Sequence, residues 1–188
     1  DSGLAAFDAG TFSRVYIWTG AAYAQLQPSV NNGTTAGLFG PEFGLAVRWM
    51  RETTTGNLYR DKWTSSGLSI TSTYFVPGAY PYTTTITRRA AEDAWLTSNS
   101  ISLSGESWVW IQGESDYLMP QATYQTDLST LMSGMATDGL RPSGSKDALV
   151  QMAVGSAQYG AGVAAAKDAI SAGDPSRTST INAPLYMK

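Results

Sequence analysis

Apolar positions fall in two rhythms along this chain, short strand-like runs and helical stripes, and the two alternate. Residues 14–18 and 22–26 are strand patterns split by Thr19-Gly20, which predicts a hairpin. Residues 27–38 carry Pro28, Asn31-Asn32-Gly33 and Gly37 and read as loop. Gly40-Pro41-Glu42 opens a helix, because proline suits a first turn whose N–H has no intrahelical partner. Phe43, Ala46, Val47 and Met50 form its apolar stripe, and Thr53-Thr54-Thr55-Gly56 ends it. Residues 57–63 read as a strand, followed by the tight polar loop Thr64-Ser65-Ser66-Gly67. Pro77-Gly78 and Pro81 keep residues 68–82 irregular.

A second helix is predicted over residues 83–96, capped by one of Thr83 to Thr85, with Ile86, Ala90, Asp93-Ala94 and Leu96 on one face. A third spans residues 120–135, burying Ala122, Leu128, Leu131 and Met132 with Tyr124 nearby. Residues 147–154 read as a strand, 155–160 as a loop and 162–172 as an Ala-rich helix suited to close packing. Residues 181–188 read as extended or irregular. Strands alternating with helices predict one α/β domain over residues 1–188, built on a parallel sheet.

One stretch stands apart. Ser107-Trp108-Val109-Trp110-Ile111 is apolar and uncharged, the pattern of a strand buried on both faces. It runs directly into Gln112-Gly113-Glu114-Ser115-Asp116. Open α/β sheets place their chemistry at such carboxyl ends of strands.

Composition narrows that chemistry. Among 188 residues there is no Cys, which excludes disulfides and a thiol nucleophile, and no His, which excludes a Ser-His-Asp triad and a His-bound zinc within the chain. Net charge is −3 and no basic run exceeds Arg88-Arg89, so nucleic acid is not an expected partner. No apolar run is long enough for a membrane-spanning helix. No signal peptide is visible and the first residue is Asp, which reads as a chain processed, trimmed or partly represented. The Ser-, Thr-, Gly- and aromatic-rich, Lys-poor composition suits a secreted or virion protein. No metal or cofactor is expected.

Trp110-Ile111-Gln112-Gly113-Glu114-Ser115-Asp116 resembles the W-x-Q-G-E-S-D block of sialate O-acetylesterase-like proteins and carbohydrate esterase family 6, in the SGNH hydrolase superfamily. Val15-Tyr16-Ile17-Trp18, Phe39-Gly40-Pro41-Glu42-Phe43-Gly44 and Lys62-Trp63-Thr64-Ser65-Ser66-Gly67-Leu68-Ser69 resemble the family's early hairpin, F-G-P-E segment and K-x-x-x-G-G-T-x-L loop, in the same order. The resemblance implies a three-layer α/β/α, flavodoxin-like domain that hydrolyses acetyl esters on sugars without metal. It implies Gln112 as a side-chain donor to the oxyanion and a backbone N–H of the Ser66-Gly67 loop as a second. Gly113, Glu114, Asp116 and Glu42 would support the site, and Trp63 and Tyr74 would meet an acetylated glycan.

The chain departs from the family in two places: it has neither the G-Q-S-N nucleophile block nor the D-x-x-H block. Both would lie beyond the ends of the sequence, so truncation at both ends is the expectation. The first central strand would then be missing, supplied by a further segment or another chain. A non-catalytic carbohydrate-binding or structural module on the same fold, such as a phage virion or tail component, is the alternative.

Simpler roles stand beside these. Gln112 can satisfy strand-end backbone groups, and Glu114 can serve as a structural hydrogen-bonding group. Asp116 can hold its own turn through an Asx bond. Glu42 suits a helix N-terminus, and Lys62 reads as either a Ser-Lys type base or an ion-pair partner. A glycosidase pair needs carboxyl groups ~5–9.5 Å apart across a sugar, which Glu114 and Asp116 on one short loop are poorly placed to provide. Trp63, Tyr74, Phe75, Tyr80 and Tyr82 can stack on sugars or pack an irregular loop, and Trp108 and Trp110 read as core.

Overall fold

The computed structural model describes residues 12–27, 41–64, 67–71 and 75–182. The chain is α/β and divides into two compact units, one of residues 1–64 with 90–100 and one of residues 65–89 with 101–188.

In the first unit, β1 (Val15–Trp18) and β2 (Tyr23–Gln25) form the expected antiparallel hairpin, and β3 (Leu58–Arg60) joins β1 in parallel, giving the order β2-β1-β3. The strand expected over residues 57–63 is only this short piece, since Asp61 onward leaves the ladder. Helix α1 (Pro41–Glu52) starts at the proline as predicted. Its stripe buries Phe43 and Ala46 against Phe12, Val15, Ile17 and Leu26, with Val47 and Met50 packed at the margin. Arg14 closes the other end of α1, donating to the Thr53 carbonyl at 2.6 Å and to the Thr55 and Gly56 carbonyls at 3.1 Å each. A guanidinium there satisfies orphan carbonyls and meets the negative end of the helix dipole.

Helix α2 (Tyr80–Ser98) begins before the threonines expected to cap it. Thr83 and Thr84 lie inside the helix and turn their hydroxyls back to the Ala79 and Tyr80 carbonyls at about one turn's distance. Its apolar face is also shifted: Tyr82, Glu92 and Leu96 are buried, whereas Ala90, Asp93 and Ala94 are exposed.

The second unit contains β4 (Ser107–Ile111), α3 (Gln121–Thr137), β5 (Lys146–Gln151), α4 (Ala161–Gly173) and β6 (Thr178–Asn182), with the strands parallel in the order β4-β5-β6. β5 ends at Gln151, so Met152, Ala153 and Val154, expected within the strand, lie beyond its observed end, and Val154 is exposed. β6 was not expected, because Thr178-Ser179-Thr180 supplies no apolar alternation. Residues 183–188, the loop of residues 28–38, Ser66 and Tyr74 lie outside the described residues.

Helix α3 buries Tyr124, Leu128, Leu131, Met132 and Met135. Ala122 is exposed, contrary to expectation, because it falls off this stripe. Helices α3 and α4 serve the sheet face that carries Trp110, Leu149 and Gln151, as shown by the hydrogen bonds from Trp110 to Tyr124 and from Gln151 to Ala164 and Asp168. The opposite face carries Val109, Ile111, Ala148, Val150 and Ile181 in register. There Val109, Ile111 and Ile181 are 39%, 41% and 48% exposed, so β4 is not buried on both faces as its sequence predicts. Trp108 and Trp110 stack on each other with centroids 5.4 Å apart and are half-buried. Among the described residues β4 pairs only with β5.

Candidate functional site

The carboxyl end of β4 enters a buried polar network. Gln112 follows the last strand residue, is 8% exposed, and donates from Nε2 to Asp116 Oδ2 at 2.6 Å and to the Leu68 carbonyl at 3.1 Å. Its Oε1 accepts from the Tyr124 hydroxyl at 2.8 Å. A carboxylate and a carbonyl accept only, so the amide must turn its NH₂ toward them, which fixes its orientation. Tyr124 accepts in turn from Trp110 Nε1 at 3.3 Å.

Asp116 is 4% exposed and is the second knot. Besides Gln112, it accepts from the Ile70 N–H at 2.8 Å and from the Ser69 hydroxyl. It therefore ties the loop of residues 67–71 to the loop after β4, rather than closing an Asx turn of its own. Its backbone holds the local turn: the Asp116 N–H donates to the Gly113 carbonyl at 3.2 Å, and the Met119 N–H donates to the Asp116 carbonyl at 2.7 Å.

Gly113 has φ +134, and a Cβ there would lie 2.8 Å from Val163 Cγ1. Only glycine combines that backbone with that approach. Gly113→Ala is expected to cost about 2 kcal/mol or more by overpacking, read as a lowered urea midpoint with unchanged m. An unchanged midpoint would contradict this account of the turn.

Among the network members that the sequence did not mark as site residues are Tyr124 and Lys167. Tyr124 appeared only as a neighbour of the α3 stripe. Lys167 was missed, although a lone cation among Val163, Ala164, Ala166 and Ile170 in an Ala-rich helix was a usable signal. Lys167 is fully buried and donates to the Gln112 carbonyl at 2.5 Å and the Val150 carbonyl at 2.7 Å. Its Nζ lies 5.7 Å from the Tyr124 ring centroid. Burial pushes the ammonium down to about 8, opposed by the charges of Glu114 and Asp116. Burial raises the Tyr124 phenol, and the Asp116 and Glu114 charges add to this while the bond from Trp110 opposes it. Tyr124 thus remains a protonated donor. The carboxyl of Asp127 is also raised, chiefly by burial and then by Asp116.

The structure therefore brings together Gln112, Gly113 and Asp116 with the loop that begins at Gly67. Gly67 is exposed and has φ +73. Glu114 lies on the same loop, half-buried, with no hydrogen bond to a described residue. Glu42 and Trp63 belong to the other compact unit. Glu42 is 1% exposed in the first turn of α1 and ion-paired with Lys62 at 2.9 Å, so Lys62 has an ion-pair partner. Of the candidate sugar-stacking aromatics, Phe75 packs edge-on against Trp110 at 5.3 Å and Tyr82 is buried with its hydroxyl on Asp138, while Tyr80 is exposed. No group of His, Cys, Asp and Glu suited to a metal occurs among the described residues.

The chain matches no protein-family model, and comparison with curated proteins finds no match.

Proposed function

We propose that this chain carries the oxyanion side of a carbohydrate O-acetylesterase of the SGNH type. One observation supports the reading most: Gln112 Nε2 lies 3.1 Å from the Leu68 carbonyl, which puts the Gln112 amide beside the Gly67 loop. The sequence resemblance implies one donor from this amide and one from that loop, two positions far apart in the chain. A neutral amide at a strand end donates to an oxyanion without competing for the proton.

In this reading a serine attacks the acetyl carbonyl, the carbonyl oxygen becomes an oxyanion, and collapse expels the sugar hydroxyl and leaves an acyl-enzyme that water hydrolyses. The hydrogen that Gln112 sends to Leu68 is the longer of its two bonds, and it is the one an oxyanion would take. The other stays on Asp116, which keeps the amide aimed. Gly67, with Ser66 beside it, would supply the second donor, and Gly113, Glu114 and Asp116 the support. The nucleophile and its base come from blocks that residues 1–188 do not contain.

The proposed fold is the three-layer α/β/α arrangement, with a further strand, from another segment or another chain, beside β4, which among the described residues pairs only with β5. The apolar character of both β4 faces supports it, since parallel strands are covered on both sides. The alternative is a non-catalytic glycan-binding or structural module, such as a virion component. It is favoured by one feature: every Gln112 amide hydrogen already has an acceptor inside the protein.

The test is acetate release from O-acetylated oligosaccharides by the full natural protein. Release, abolished by replacing its nucleophile, is the expected result. Glycan binding with no acetate release would replace the esterase with the binding module.

A further inference from the structure

We propose that Lys167 is the positioning residue of this site, aiming the Gln112 amide from beneath by holding its main chain. The inference rests on the reading of Gln112 as an oxyanion donor. Lys167 Nζ bridges the Gln112 and Val150 carbonyls, the carboxyl-terminal ends of two neighbouring parallel strands. Tyr124, whose ring lies against the same ammonium, holds the other Gln112 oxygen, Oε1. The main chain and side chain of Gln112 are thus fixed by adjacent groups of α4 and α3.

Among the described residues no carboxylate forms an ion pair with Lys167. A fully buried ammonium satisfied by main-chain carbonyls is a costly way to fix two strand ends, and an apolar residue would fill the space more cheaply. Gly113 adjoins this arrangement: a Cβ there would come into ordinary contact with Lys167 Nζ at 3.5 Å while meeting Val163 Cγ1 at 2.8 Å. The charged and titratable groups that act on the ammonium are Glu114 and Asp116 on the loop after β4 and Tyr124 on α3, while its chain neighbour Asp168 is occupied by Gln151 at 2.8 Å. Burial raises the Tyr124 phenol, so it stays protonated through the range in which Lys167 changes charge.

Loss of the proton removes the charge that strengthens both carbonyl contacts, so the aim of the amide follows pH. The same titration has a signed effect on stability. The folded value, about 8, lies below the ordinary 10.5, so between the two the unfolded chain binds more protons and this group's contribution to stability rises with pH.

The experiment is a ¹⁵N NMR titration of the Gln112 side-chain NH₂ in the full chain from about pH 6 to about pH 10, with Lys167→Met, Lys167→Arg and kinetics alongside. In the wild type the amide signal is expected to titrate with a midpoint near 8. It is displaced and flat in Lys167→Met, and flat in Lys167→Arg, whose charge persists. Acetyl-ester kcat falls about 10²-fold in Lys167→Met with KM little changed, the size of effect that misplacement of a reacting group produces. If Lys167→Met does not fold, the wild-type titration and Lys167→Arg decide. A Gln112 signal that ignores pH in the wild type overturns the proposal, whether or not acetate is released. An amide that titrates in a protein releasing no acetate would instead leave the positioning intact and remove the esterase.

Discussion

Replacing Asp147 by alanine is expected to destabilise the protein by about 3–5 kcal/mol, the usual cost of stripping one partner from a buried ion pair. Asp147 is 2% exposed at the start of β5. Arg141 donates to its Oδ2 from Nε at 2.8 Å and also from Nη2, and Arg177 Nε lies 3.4 Å from the same oxygen. The two arginine side chains are only 11% and 21% exposed. Arg177 goes on to cap the Pro142 carbonyl at 2.7 Å and the Ser145 hydroxyl at 2.9 Å. Removing the carboxylate therefore leaves two mostly buried cations facing each other at the amino end of β5. Urea unfolding with unchanged m reads the loss. A change below about 1 kcal/mol, the value of an exposed pair, would show that the cluster is effectively solvated.

The second large effect is expected where α4 begins. A Cβ on Gly160 would lie 2.5 Å from the Tyr117 carbonyl oxygen, and one on Gly162 would lie 2.5 Å from the Met119 oxygen. Both obstacles are backbone, so no side chain can swing aside. The segment that must yield joins Asp116 to α3, and hence touches the network around Gln112. Gly162→Ala and Gly160→Ala are each expected to cost roughly 3 kcal/mol or more, the upper end of overpacking, and to shift the Gln112 amide signal. Gly173→Ala, with no atom within 4 Å of its Cβ on the same helix, is the control. Equal effects at all three positions would contradict a clash.

The elements legible in the sequence were those with a strong local signal. Proline at position 41 and the stripe from Phe43 to Met50 placed α1, and Thr19-Gly20 placed the hairpin. The α/β alternation and the turn after Ile111 placed the corner where Gln112 sits. The failures share a cause: side-chain identity does not say which neighbours arrive. β4 has the sequence of an internal strand, but among the described residues it pairs only with β5, and its face with Val109 and Ile111 is half-exposed. β6 forms from Thr and Ser because parallel pairing with β5, not apolar alternation, holds it. Thr83 and Thr84 can cap a helix or bond back within one, and Tyr80-Pro81 starting the helix earlier decided between these. In the site, Gln112 and Asp116 were legible because they follow the strand directly. Ser69, Ile70 and Lys167 were not, since they reach the same knot from 46 or more positions away, with separations of 47, 46 and 55.

The measurement that tests the central claim most directly is acetyl-ester turnover by the full natural protein beside its Gln112→Ala variant. Gln112 as an oxyanion donor predicts acetate release by the wild type and a kcat lower by about 10²–10³-fold in the variant. KM should change little and the fold should persist by circular dichroism. Wild-type protein that releases no acetate, or a folded Gln112→Ala variant that releases it as fast as the wild type, would contradict the account.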